Sequence, residues 1–355
     1  MKHRVFLAIF LLLTISIFTF VAYSEEQAHP LGFFGNSLHH TGEGMRYWYE
    51  ADDGFMAITK KPYQELGCKS CHAKNCDVCH AKKTDNGMAY STEHARQTET
   101  CLQCHVREGG TFKLDRERGT LGVHIAAGMK CIDCHSSREV HGDGTFYHSM
   151  RNPAAKDAKC TNCHTRESED YAAVPDTMAH NVHGDKLHCN ACHVQATMNC
   201  YNCHFGEFAR TGKKPLSFAG KNKDWLLLIN YEGQVTSASM QTLVGYENEP
   251  FIIYTPYFTH SVMKKGRQCG DCHGSEAVKK IAAGEAFQPA HFNDGQLSFY
   301  QGVIPTVPEL LDWVWMEKVD GQWRTFEPEH DVLIQMGLYG TAITQEQLKK
   351  LLETY

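Results

Sequence analysis

Residues 68–80 read Cys68-Lys69-Ser70-Cys71-His72-Ala73-Lys74-Asn75-Cys76-Asp77-Val78-Cys79-His80, two cysteine pairs with two-residue spacers, each followed at once by histidine. The arrangement recurs at Cys101, Cys104 and His105; Cys131, Cys134 and His135; Cys160, Cys163 and His164; Cys189, Cys192 and His193; Cys200, Cys203 and His204; and Cys269, Cys272 and His273. All 16 cysteines of the 355-residue chain are used in this way. Random placement of 16 Cys and 22 His would give roughly 0.04 such motifs. Composition therefore does not explain the eight present.

Chemistry does. Two thiols can add across the two vinyl groups of a porphyrin, and a two-residue spacer sets them the right distance apart. The adjacent histidine then reaches the iron, so the pattern predicts eight covalently attached c-type haems with His72, His80, His105, His135, His164, His193, His204 and His273 as proximal ligands. Zinc ribbons with all-cysteine ligation, a disulfide framework and thioredoxin-like redox pairs are the competing readings. None of them gives a reason for a histidine after every second cysteine.

On these motifs the chain resembles the multihaem, and by count the octahaem, c-type cytochromes. The resemblance covers residues 68–273. Its nitrite- and tetrathionate-reducing members are similar to one another in carrying lysine for one motif histidine, and the octahaem sulfite reductases have a much longer spacer in one motif. All eight motifs here end in histidine with two residues between the cysteines. No catalytic role is therefore inherited at any position.

Seven motifs fall within residues 68–204, about 20 residues per haem. That stretch has little apolar periodicity, so the macrocycles are expected to supply much of its core and to lie close together. The first and second motifs, three residues apart, should make the closest pair. A second close pair is expected where Val194–Asn199 joins the sixth and seventh.

Sixth ligands are sought among the other histidines. His39, His40, His94, His124, His141, His148, His180, His183 and His260 are the candidate distal ligands; His29, His188, His291 and His330 are weaker ones. Two imidazoles saturate an iron and favour low potential, whereas a thioether raises it. Tyr47, Trp48 and Tyr49 are assigned packing rather than relay roles.

The fold class expected is a mainly α and irregular, haem-packed multihaem cytochrome c with a small β insert and a C-terminal hairpin plus helix. Residues 1–24, a basic start and an apolar run ending at Ala22-Tyr23-Ser24, read as an export signal, with an uncleaved membrane anchor as the alternative. Residues 25–204 form the haem-dense region and 205–268 the insert. There Glu232-Gly233 marks a hairpin turn and Phe251–Tyr254 a further strand. Residues 269–355 hold the eighth motif, a hairpin at Asp320-Gly321, and a helix capped by Thr344 and Gln347 that shows Leu348, Leu351, Leu352 and Tyr355 on one face.

The 41 acidic residues exceed the 35 basic ones, which argues against a nucleic-acid binder. Loss of Lys2 and Arg4 with the leader gives −8, and eight ferric haems at net −1 each bring the total to −16. The function expected is an exported electron carrier, periplasmic or at the cell surface, that meets other redox proteins through their basic faces. The alternative is an octahaem oxidoreductase acting on nitrite, hydroxylamine, tetrathionate or sulfite at one five-coordinate haem. The surplus histidines also leave room for a homo-oligomer or a conducting filament.

Overall fold

A computed structural model describes residues 32–67, 72–205 and 217–353. The expected leader, His29, Cys68, Cys71 and Tyr355 lie outside the described residues.

Trp225-Leu226-Leu227-Leu228-Ile229 is a continuous apolar run, the pattern of a strand covered on both faces. It lies within strand Trp225–Tyr231, and these five side chains are at most 3 % exposed. Around it forms a seven-stranded sheet: β1 Asn199–His204, β2 Ser217–Asn222, β3 Trp225–Tyr231, β4 Gln234–Val244, β5 Pro250–Pro256, β6 Gly302–Pro305 and β7 Leu333–Met336. The main path runs β6-β3-β4-β1-β2, while β5 pairs with β4 and β7. β6 is parallel to β3, β7 to β5 and β1 to β4; the remaining pairs are antiparallel. The sheet is thus larger than the insert expected at 205–268, because it recruits the seventh motif from one side and two strands from the other.

The two expected hairpins form. Tyr231 pairs with Gln234 across Glu232 (φ 51°) and Gly233 (φ 76°), and Val319 with Gln322 across Asp320 (φ 50°) and Gly321 (φ 81°). Two successive residues with positive φ match the twist of the flanking strands. The C-terminal helix Gln345–Leu352 is capped as the sequence indicates, with the Thr344 side chain accepting from the Gln347 N–H. Leu348 is fully buried in the sheet's core, but Leu352 is 44 % exposed. Leu351, on the same last turn, packs against that core at its edge.

The stretch before the sheet has a different economy. From His72 to His188 the buried apolar side chains are Ala73, Phe112 and Ala155. Most of its helices are four to six residues long, too short to be stable in isolation. The exception is helix α1, Val106–Glu117, which begins directly after the third motif. Thr111, Phe112 and Asp115 are its buried residues, and they share one face with Glu108 at helical spacing. Asp115 pairs with Lys223 beside β2, both buried, and Arg107 donates to the Met198 carbonyl at 3.0 Å, so α1 is pinned to the sheet. Among the described residues no helix is long and apolar enough to cross a membrane.

Candidate functional site

The motif at 76–80 and those at 101–105, 131–135 and 160–164 close one helical turn, the histidine N–H donating to the first cysteine's carbonyl at 2.9–3.0 Å. Cys189–His193 and Cys269–His273 are helices throughout. Such a turn puts positions i, i+3 and i+4 on one side, so both sulfurs and the imidazole face the same space.

Six of these histidines each look across that space at a second imidazole. Ring centres lie 6.0 Å apart for His80 and His141, 6.1 Å for His105 and His39, and 6.2 Å for His135 and His260. They lie 5.9 Å apart for His164 and His124, 6.2 Å for His193 and His180, and 6.3 Å for His273 and His183. A metal–imidazole bond is about 2 Å long and the ring centre sits about 1 Å behind the nitrogen, so imidazoles sharing an ion have centres about 6 Å apart. The residues therefore fit haem iron at these six places. Among the described residues no group of three or more His, Cys, Asp or Glu is placed to hold a metal, and none of the 14 described cysteines is in a disulfide. The donors come in facing pairs instead.

Eight of these twelve rings are held by Nδ1, which leaves their Nε2 to the shared space. Nδ1 of His135 contacts Glu139 Oε1 at 2.9 Å, that of His164 the Ala172 carbonyl at 2.8 Å, that of His193 the Met263 carbonyl at 3.3 Å and that of His273 the Leu351 carbonyl at 3.1 Å. Across from them, Nδ1 of His141 meets Ser137 Oγ (3.0 Å), that of His180 Thr177 Oγ1 (2.8 Å), that of His183 the Ala179 carbonyl (2.9 Å) and that of His260 Glu108 Oε2 (2.7 Å). Second partners of this kind fix ring orientation and ligand basicity at metal sites. Burial holds His39, His105 and His124 below the usual imidazole range, keeping them neutral as ligation requires. The hydrogen bond to Glu139 raises His135 instead. Burial is the largest influence on Glu108 and Glu139 and pushes both up, but the hydrogen bond and charge of the facing histidine, together with the Tyr257 hydroxyl and Arg107 for Glu108 and the Asp157 and Ala158 N–H groups for Glu139, outweigh it and leave both below the usual carboxylate range.

Neighbouring motifs meet through their sulfurs. The Cys101 thiol hydrogen-bonds to Cys131, and that of Cys160 to Cys189. Cys79 is within electrostatic reach of Cys101, Cys134 of Cys163, and Cys192 of both Cys269 and Cys272. These proximities order the motifs second, third, fourth, fifth, sixth, eighth. The sixth is thus linked to the eighth across the fold, in addition to being near the seventh in sequence.

Two motif histidines stand apart. His72 stacks on Tyr63, with Nε2 3.1 Å from the phenol oxygen. It also lies so close to Gly42 (φ +67°) that a Cβ there would be 1.8 Å from its Cε1. His204 is the last residue of strand β1, its Nε2 lies 2.8 Å from the Met316 carbonyl, and its nearest ring is Trp323 at 5.3 Å. Cys203 is 3 % exposed and packs with Phe55, Ile58, Leu243 and Phe251. An extended backbone and an Nε2 contact to a carbonyl set this motif apart from the helical ones.

Of the candidate distal ligands, His39, His124, His141, His180, His183 and His260 are in facing pairs. The other three sit elsewhere. His40 has its Nδ1 3.2 Å from the Ala73 carbonyl beside His72, His94 sits on a short helix capped by Ser91, and His148 contacts Glu43 at 3.6 Å between Tyr47 and Phe146. His291 and His330 are exposed. Pairing does not follow sequence proximity: His124, seven residues before Cys131, faces His164, and His260, nine before Cys269, faces His135.

His188 stacks on Phe258 with ring centres 4.7 Å apart, and Arg151 lies 4.5 Å over the same ring. Burial, then the charges of Lys156 and Arg151, push its pKa down to about 4. Because the folded value lies below the unfolded one, His188 contributes stability that is complete above about pH 6.5 and lost as pH falls toward 4. His188→Phe keeps the stack and removes the titration. Its urea midpoint should fall less steeply over that window, by the equivalent of about 2 kcal/mol after allowance for partial exposure. Parallel slopes for the two proteins would refute it.

Comparison with known proteins adds one short likeness. No family model matches the chain, and no solved structure matches it. Cytochrome c-552 from each of two strains of Haemophilus influenzae is 40% identical over 58 residues, 16% of this chain and 11% of the relative. The match thus spans about a tenth of the length of those curated relatives. Together with the eight motifs, it supports a c-type cytochrome carrying covalently bound haem.

Proposed function

We propose that this is an exported octahaem cytochrome that carries electrons between redox partners along a file of closely spaced, mostly bis-histidine haems. The observation that carries the reading is the set of six facing imidazole pairs, each beside a helical motif. The sulfur contacts support a spatial order of haems two, three, four, five, six and eight, with the first and seventh set off. Two imidazoles leave no place for substrate at an iron, so those six haems suit conduction. The scarcity of buried apolar side chains between His72 and His188 agrees, because porphyrins would then be the core.

The first test is a count. Tryptic peptide 187–210 contains both the sixth and seventh motifs. Mass spectrometry of secreted protein should show two haems on it and eight on the whole chain. One haem on that peptide and seven in all would mean that the seventh motif stays unmodified, as its strand geometry permits. A bare polypeptide would end the proposal.

The second reading, an oxidoreductase for a small nitrogen or sulfur compound, is favoured by His204, whose Nε2 meets the Met316 carbonyl. Wholly low-spin ferric spectra that do not change with nitrite, hydroxylamine or sulfite support the carrier. A high-spin component that responds to one of them supports the enzyme. For a carrier of charge near −16, electron exchange with basic partners should slow as salt is added. A rate that is flat or rises with salt contradicts docking of this kind.

A further inference from the structure

The facing pair at the fourth motif differs from the others in what stands behind it. Where contacts to Nδ1 define the backing of the other pairs, the partners are uncharged: Ser137, Ala172, Ala179, Thr177, Met263 and Leu351 each offer a hydroxyl or a backbone carbonyl. His135 and His260 instead both meet carboxylates, Glu139 at 2.9 Å and Glu108 at 2.7 Å.

Both carboxylates are fixed by contacts of their own. Glu139 Oε2 accepts from the backbone N–H groups of Asp157 (3.2 Å) and Ala158 (3.3 Å), and Glu108 Oε1 accepts from the Tyr257 hydroxyl. Glu108 sits on α1, three residues after His105, while Glu139 sits on the short helix Ser137–His141 that follows the fourth motif. A carboxylate accepting the Nδ1 proton makes the imidazole a stronger donor to a metal, and two anions nearby stabilise the ferric state over the ferrous one, which carries one positive charge fewer.

We infer that Glu108 and Glu139 are positioning residues that make the site between His135 and His260 the lowest-potential haem of the file. The assignment rests on the electron-carrier reading for its meaning: the fourth site lies between the third and fifth, so an electron entering at either end meets its least favourable step midway. The file then acts as two stores joined by a ridge, and a partly reduced molecule holds electrons on both sides of it.

The test uses full-length, haem-loaded protein, with spectroelectrochemical titration and electron paramagnetic resonance. Glu108→Gln keeps a carbonyl oxygen for His260 but removes the charge, so the lowest midpoint should rise and one low-spin signal should shift while the others stay. Glu139→Gln should do the same from the other side, and the double variant should go further. Tyr257→Phe removes the proton that the phenol shares with Glu108, leaving the carboxylate more basic, and should move the same midpoint down.

A merely structural role would shift all these variants the same way or disturb several haems together. Either result, or an unmoved lowest midpoint with full haem content, overturns the inference. If one Gln variant fails to load haem, the other and Tyr257→Phe still decide by the sign of their shifts. Failure of electron exchange with partners while the midpoints move as stated would count against the carrier reading and leave this assignment standing.

Discussion

His124→Met is expected to raise the midpoint of one haem on the order of a tenth of a volt, within the roughly 0.8 V that axial ligands span. The His124 and His164 ring centres are 5.9 Å apart, and burial keeps His124 neutral. A thioether in place of the imidazole donates less to ferric iron and so favours reduction. Methionine is long and unbranched, and at this half-buried position it can follow the path of the imidazole. The effect on conduction should exceed the effect on stability, because the fifth motif lies near the fourth, through Cys134 and Cys163, and hydrogen-bonds to the sixth, through Cys160 and Cys189. A site in that position that holds its electron too tightly becomes a trap. Stopped-flow oxidation of the fully reduced variant should therefore leave one slow equivalent. Eight unchanged midpoints with full haem content would show that these two imidazoles do not share an iron.

How much of this was legible beforehand depends on the range of the interaction. Covalent attachment is encoded within five residues, so the motifs are plain in the sequence, as are hairpins closed by Glu232-Gly233 and Asp320-Gly321 and the helix cap at Thr344. The pairing of imidazoles is a tertiary property. His260 meets His135, and His39 meets His105 rather than the first motif that follows it. No local spacing announces either. Carboxylate backing had a faint signal: Glu139 stands only four residues after His135, but Glu108 reaches His260 across 152 positions. The sheet was underestimated because β6 and β7 join it in parallel, and a parallel neighbour arrives by a crossover that leaves no turn to read. The local shape of the seventh motif was not legible for another reason. Its residues satisfy the pattern, yet Tyr201 is fully buried and Asn202 takes φ 48°, so the sheet's pairing overrides the helical turn that the other motifs adopt.

The largest loss of stability is expected from Asp115→Ala. Asp115 has no exposed side-chain surface and Lys223 only 2 %. Removing one member of such a pair strands the other charge away from water, at a cost of about 3–5 kcal/mol. Lys223 retains the Ser261 hydroxyl at 3.1 Å as a partner, but a neutral hydroxyl does not balance an ammonium in a dry site. The double variant Asp115→Leu with Lys223→Met should recover most of the loss, since it replaces the pair with apolar side chains of similar volume and leaves no charge unpaired. Urea unfolding of the haem-loaded proteins measures both, and a single variant no less stable than the double would contradict the buried-pair account. The consequence reaches beyond stability, because Asp115 and Glu108 are seven residues apart on one face of α1. The contact that fastens the helix to the sheet also holds Glu108 against His260. Asp115→Ala should therefore disturb the low-spin signal assigned to the fourth haem before the protein unfolds, while the double variant, with α1 seated again, should restore it.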